Sequence, residues 1–71
     1  MSDELLLSLN GEAHRTAAAT VAELLRELAV PPEAKGIALA VNDAVVPRRR
    51  WAETALAAGD RIELIRAMSG G

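Results

Sequence analysis

The sequence predicts an α+β fold, a mixed sheet of four to five strands packed on one main helix. Three observations carry that prediction. Apolar residues alternate over 5–9, 37–42 and 61–67, Val21, Leu24, Leu25 and Leu28 are spaced as one helical stripe, and 71 residues leave room for a single core. A chain of this size buries only about 60% of the surface its unfolded form exposes. One helix stripe and one sheet face must therefore cover each other. A strand that follows the helix can lie parallel to an early strand through that crossover, which makes the sheet mixed.

The elements follow in order. In "LLLSLNGE", Leu5, Leu7 and Leu9 point to one face while Leu6 and Ser8 point to the other, because successive strand side chains alternate. Asn10-Gly11 follows, and this pair readily takes the positive φ values of a type I′ hairpin turn. "EAHRTAA" is the return strand. "TVAELLREL" carries a capping-box pattern, with Thr20 at the N-cap and Glu23 three residues on, ahead of the apolar stripe. Pro31-Pro32 is the expected helix stop. After "PPEAKG" comes a third strand with Ile37, Leu39 and Val41 on one side, then a turn at Asn42-Asp43. The short strand "AVVPR" contains Pro47, which suits only an edge or a strand end. Residues Arg49 to Leu56 are expected as a helical turn, and Gly59-Asp60 turns the chain into the last strand, "RIELIRA". The domain is expected to span 1–71, with a flexible Gly-Gly tail over about 67–71.

Composition excludes several classes of function. With 51% hydrophobic and 25% charged residues the chain is globular in type. No apolar run approaches the roughly 18 residues of a membrane span, and "MSDELLLSLNGE" lacks the basic start of a signal peptide. The expectation is a cytoplasmic protein with no membrane partner. There is no cysteine, which removes disulfides, thiol nucleophiles and the usual structural zinc sites together. A net charge of −2 argues against nucleic acid as a partner.

Enzyme constellations are missing from the sequence pattern. His14 is the sole histidine and reads as a surface residue without a role. No serine sits in a nucleophile elbow, the carboxylates are dispersed, and no glycine-rich phosphate cradle is present. The expectation is that the chain has no catalytic residue of its own and binds no cofactor. Arg48 to Arg50 form one short basic run, a solvated turn or a patch for docking to a partner. Trp51 fits either packing beside Pro47 or an interface anchor. Leu6, Ala38, Ala40 and Ile65 fall on the second sheet face and are expected to form a modest apolar patch. Arg48, Trp51, Leu6 and Ile65 are accordingly the candidate partner contacts.

The last letters, "AMSGG", hold the remaining chemistry. Gly70 and Gly71 lack Cβ atoms, so an extended tail of Met68, Ser69 and the two glycines can enter a slot too narrow for other residues. A terminal carboxylate has an ordinary pKa near 3.5 and is anionic at neutral pH. It can attack the α-phosphorus of ATP in a partner's site and become an acyl adenylate, which sulfur from another protein can convert to a thiocarboxylate.

The chain resembles the ThiS family, the sulfur carriers of thiamine biosynthesis, which have the ubiquitin-like β-grasp fold. The resemblance runs through "LNGE", "TVAELL", "ALAVN", "VVPRRRW", "GDRIELI" and the final "GG". It implies that Gly71 is the modified residue, adenylated by a ThiF-like adenylyltransferase that consumes ATP. It also implies sulfur delivered through a cysteine desulfurase relay and accepted by a ThiG-like thiazole synthase. A molybdopterin-synthase-type carrier and a ubiquitin-like covalent modifier remain as alternatives, since both use the same glycine tail.

Overall fold

A computed structural model describes residues 3–31 and 33–66. The chain forms β1 (Leu5–Leu9), β2 (Glu12–Thr16), α1 (Val21–Glu27), β3 (Ile37–Val41), β4 (Ala44–Val45), a 3₁₀ turn (Arg48–Arg50) and β5 (Arg61–Arg66). The five strands make one sheet in the order β2-β1-β5-β3-β4. Only β1 and β5 pair in parallel, and the other three pairings are antiparallel. The predicted mixed sheet on one helix is thus present, with all five strands.

Both hairpin turns follow the expected chemistry. Asn10 and Gly11 have φ values of 51° and 86°, and Asn42 and Asp43 have 51° and 71°. These signs match a type I′ turn, whose twist suits the strands on either side. The return strand β2 ends at Thr16, short of Ala18. There the buried Thr16 hydroxyl accepts a bond from the Ala18 N–H at 2.9 Å and bends the chain toward the helix. Pro47 follows β4 and starts the 3₁₀ turn, which is the predicted strand-end position. The helical turn expected over 49–56 is confined to this shorter 3₁₀ segment and the turn residues after it.

Helix α1 starts as predicted and stops differently. Thr20 accepts the Glu23 N–H at 3.2 Å. The Glu23 carboxylate bonds the N–H of Ala19 at 2.9 Å rather than that of Thr20. Thr20 is extended and bridged to Ala55, so the reciprocal bond falls one residue earlier. The stop precedes the prolines. Ala29 adopts φ 63°, its N–H bonds the Arg26 carbonyl at 3.0 Å, and the Val30 N–H bonds the Leu25 carbonyl at 2.8 Å. This bond pair is the Schellman motif, and its usual apolar contact is supplied by Leu25 and Val30, both buried. Hydrogen bonding ends the helix, and Pro31 follows a turn that is already closed.

The core lies between the helix and one sheet face. Val21, Leu24 and Leu25 of α1 meet Leu7, Leu39 and Ile62 of the three central strands, with Val30, Trp51 and Leu56 closing the sides. Leu24 and Val21 have no exposed surface and Ile62 has 1%. No helix among the described residues is long and apolar enough to cross a membrane.

Ala29 is an alanine held in a left-handed conformation that costs a residue with a Cβ roughly 1–2 kcal/mol. Replacing it with glycine relieves that cost and adds some unfolded-chain entropy. Ala29→Gly is therefore expected to raise stability by about 0.5–1 kcal/mol, read as a higher urea midpoint at unchanged m-value. A lowered midpoint would contradict this account of the helix end.

Candidate functional site

The predicted modified residue Gly71 and the tail residues Gly70, Ser69 and Met68 lie outside the described residues. What the structure does describe is the strand that leads to them. β5 runs between β1 and β3, and its last residue, Arg66, pairs with Ile37. The sequence then continues directly into the tail.

The exposed sheet face beside that strand end is apolar. Ile65 pairs with Ala38, and Glu63 pairs with Ala40, which in turn pairs with Val45 on β4. Ile65 is 61% exposed and Val45 76%. Together they border a shallow depression floored by the two alanines, with Glu63 as its one charged wall. Val45 escapes sequence reasoning because "AVV" offers two adjacent valines. The antiparallel register to β3 alone decides that Val45 faces out while Val46 packs against the core.

Leu6 does not join this strip. Its carbonyl accepts the N–H of Gly59 at 2.9 Å, and Ser8 pairs with Arg61. Leu6 is therefore level with residue 59, six positions before Ile65, a separation of about 20 Å along the strand. The expected patch of Leu6, Ala38, Ala40 and Ile65 is thus divided. The reason is stagger: β1 overlaps only the first part of β5, and no alternation pattern encodes that offset.

Trp51 and Arg48 are turned to internal tasks. The indole is 6% exposed, and its Nε1–H donates to the Val46 carbonyl at 2.9 Å. The Trp51 carbonyl also accepts the Ala22 N–H of α1 at 3.0 Å. Packing, not an exposed anchor, describes this residue. Arg48 lies with its guanidinium 4.8 Å from the centre of the indole ring and donates to the Ala34 carbonyl. It thereby ties the loop before β3 to the 3₁₀ turn. Arg48, Arg49 and Arg50 are all exposed, and Arg48 makes these contacts along the surface.

His14 is 28% exposed at its side chain, and its Nε2 stands 3.5 Å from a Glu27 carboxylate oxygen across the gap between β2 and α1. The sequence-based expectation of a surface histidine overlooks this contact, which brings together residues 13 apart in the chain. Among the described residues no group of histidines and carboxylates is arranged to hold a metal ion.

A five-stranded mixed sheet in the order 2-1-5-3-4, closed over one helix and ending on its central strand, is the β-grasp fold. Within that class the chain belongs to the ThiS family, whose family model matches residues 7–71. The sulfur carrier protein ThiS of Escherichia coli K12 is 41% identical over 63 residues, covering 87% of this chain and 92% of the relative. A crystal structure of the thiamine biosynthesis protein ThiS from Geobacter metallireducens superposes with a TM-score of 0.76 at 30% identity, covering 94% of this chain and all of that one. The solution structure of the same Geobacter protein gives an equal score and covers 88% of its chain. Membership of this family agrees with the expectation of a carrier acted on by enzymes rather than an enzyme.

Arg48 stacks on an indole and bonds a carbonyl, each contact worth about 0.5–1.5 kcal/mol. Arg48→Ala is expected to lower stability by about 1 kcal/mol in thermal denaturation, with Arg49→Ala within about 0.5 kcal/mol of the unaltered chain. Equal effects of the two substitutions would contradict the inward role of Arg48.

Proposed function

We propose that this chain carries sulfur as a thiocarboxylate on Gly71 for the thiazole step of thiamine biosynthesis. The observation that supports the reading is that the ThiS family match runs through to residue 71 and so includes both glycines. In the proposed sequence, a Gly71 carboxylate oxygen attacks the α-phosphorus of ATP in the site of a ThiF-like adenylyltransferase, and pyrophosphate leaves. The terminal sulfur of a persulfide, formed through a cysteine desulfurase, then adds to the acyl carbon, and the C–O bond to AMP breaks. A thiol cleaves the S–S bond of the resulting acyl disulfide and is itself oxidised to a disulfide with the donor's remaining sulfur, and the thiocarboxylate is left on Gly71. A ThiG-like thiazole synthase takes the sulfur.

The carrier's contribution to this chemistry is binding and delivery. The exposed strip of Ala38, Val45 and Ile65 lies on β5, which leads to the tail, and on β3 and β4 beside it, so a partner that takes Gly71 has this strip within reach. Of the four candidate contacts, Ile65 belongs to that docking face. Leu6 lies at the far end of the sheet, and Arg48 and Trp51 support the loop and the core. Glu63 favours a cation on the partner's side, in keeping with the chain's net charge of −2.

Mass spectrometry of the chain incubated with ATP, a sulfur donor and its activating enzyme tests the reading. The expected outcome is exchange of one terminal oxygen for sulfur, lost on deletion of Gly71 with no change in melting temperature. Val45→Asp is expected to weaken association with the activating enzyme about tenfold or more. An unchanged mass would overturn the proposal. Isopeptide-linked adducts would indicate a covalent modifier, and sulfur transfer to molybdopterin synthase alone would indicate the other carrier branch.

A further inference from the structure

Two asparagines each accept a backbone N–H of β5, one at its start and one toward its end. Asn10 and Asn42 each open a hairpin turn with φ 51°, and each aims its side-chain amide at that strand. At the start of β5, Asn42 Oδ1 accepts the Arg61 N–H at 2.9 Å, while its Nδ2 donates to Asp60 Oδ1 at 3.0 Å. Toward the other end, Asn10 Oδ1 accepts the Leu64 N–H at 2.8 Å and its Nδ2 donates to the Leu64 carbonyl at 3.2 Å.

The Asn10 pair stands where a strand is missing. The register of β1 with β5 ends at Leu9 and Ile62, and the last backbone bond between them runs from the Asn10 N–H to the Ile62 carbonyl at 2.8 Å. At the turn β1 leaves, while β5 continues to Arg66. On its other side, β5 stays paired with β3 through Leu64, Ile65 and Arg66. The Asn10 amide supplies to Leu64 the acceptor and donor that two residues of a continued β1 would have presented. It therefore extends the parallel ladder by one side chain.

We infer that Asn10 is a positioning residue for the reaction at Gly71: its reciprocal amide pair with Leu64 fixes the root from which the tail leaves the sheet. The inference rests on the sulfur-carrier reading. Without the pair, Leu64 to Arg66 are held by β3 alone and can pivot about it. Such a pivot moves the point at which Arg66 hands the chain on to its last five residues, and the position of a tether's root sets how readily its end reaches a partner's site. Ile65, on the docking strip, is one residue from the root, so the same clamp holds strip and tail in one relation.

The two asparagines allow a matched test. Asn10→Gly and Asn42→Gly each keep the turn, because glycine takes φ 51° without strain, and each removes one amide from β5. Steady-state charging of the full chain by its activating enzyme is read as ATP-dependent pyrophosphate release, alongside amide hydrogen exchange at Leu64. Asn10→Gly is expected to lower kcat/KM about tenfold, chiefly through KM, and to speed exchange at Leu64. Asn42→Gly is expected to charge within about twofold of the unaltered chain at equal folded fraction. Asn10→Asp, which keeps the acceptor and loses the donor, is expected to fall between them and serves if Asn10→Gly folds poorly. Equal kcat/KM for the Asn10 and Asn42 variants, with the unaltered chain charging normally, would overturn the inference. Failure of the unaltered chain to charge would overturn the sulfur-carrier reading itself and the inference with it.

Discussion

The parallel pairing of β1 with β5 turns two hairpins into one domain. The β1-β2 hairpin and the β3-β4 hairpin are each closed by a local turn, and within the sheet they meet only through β5. That meeting is narrow. Beside the two-residue register of Ser8 with Arg61 and Leu9 with Ile62, it includes the Ser8 N–H on the Asp60 carbonyl at 2.9 Å, the Asn10 N–H on the Ile62 carbonyl at 2.8 Å, the Gly59 N–H on the Leu6 carbonyl and the Asn10 side chain on Leu64. Joining residues more than fifty positions apart carries a loop-closure cost that local turns avoid. The compensation comes from the core, because this pairing brings Ile62, opposite Leu9 and Val41, into one buried cluster with Leu7, Leu39 and the helix stripe. Each fully buried aliphatic side chain there contributes about 1.5–3 kcal/mol.

Local chemistry was legible in the sequence and long-range placement was not. Asn10-Gly11, Asn42-Asp43 and the Thr20–Glu23 cap are written in nearby letters; both turns form where the pattern puts them, and the cap forms with its reciprocal bond on Ala19 instead of Thr20. The helix end shows the limit: two prolines looked sufficient, yet an alanine in a left-handed conformation closes the helix first, since Leu25 and Val30 gain burial by that turn. Leu6 and Ile65 share a face by alternation but stand at opposite ends of it, because strand stagger has no signature in a single sequence. The contacts of Asn10 with Leu64 and of Arg48 with Ala34 depend on that same unseen register and topology. The glycine tail, the most informative sequence feature for function, lies beyond the described residues, so its reading rests on family membership.

Function and fold divide the chain between them. Several polar groups of the domain have structural tasks: Arg48 ties a loop to an indole, Trp51 donates to a strand carbonyl, and Asp60 bonds the Ala57 N–H and the Asn42 amide. What the domain offers outward at the end of β5 is an apolar strip and the start of the tail. The proposed function suits that division, since in it the reactive group sits on Gly71 and its activation is left to another protein's site. The small core then has one mechanical duty, which is to hold β5 still.

That duty makes the joint between the hairpins the place to measure. Native-state hydrogen exchange of the Ser8 and Asn10 amides, compared with amides of β3 that bond to β5, tests it most directly. If the β1-β5 pairing holds the domain together, both sets exchange only through global unfolding and give the same free energy of opening. If Ser8 and Asn10 exchange through a much cheaper opening while β3 stays protected, the two hairpins separate without unfolding, and the account of β5 as the domain's joint is wrong.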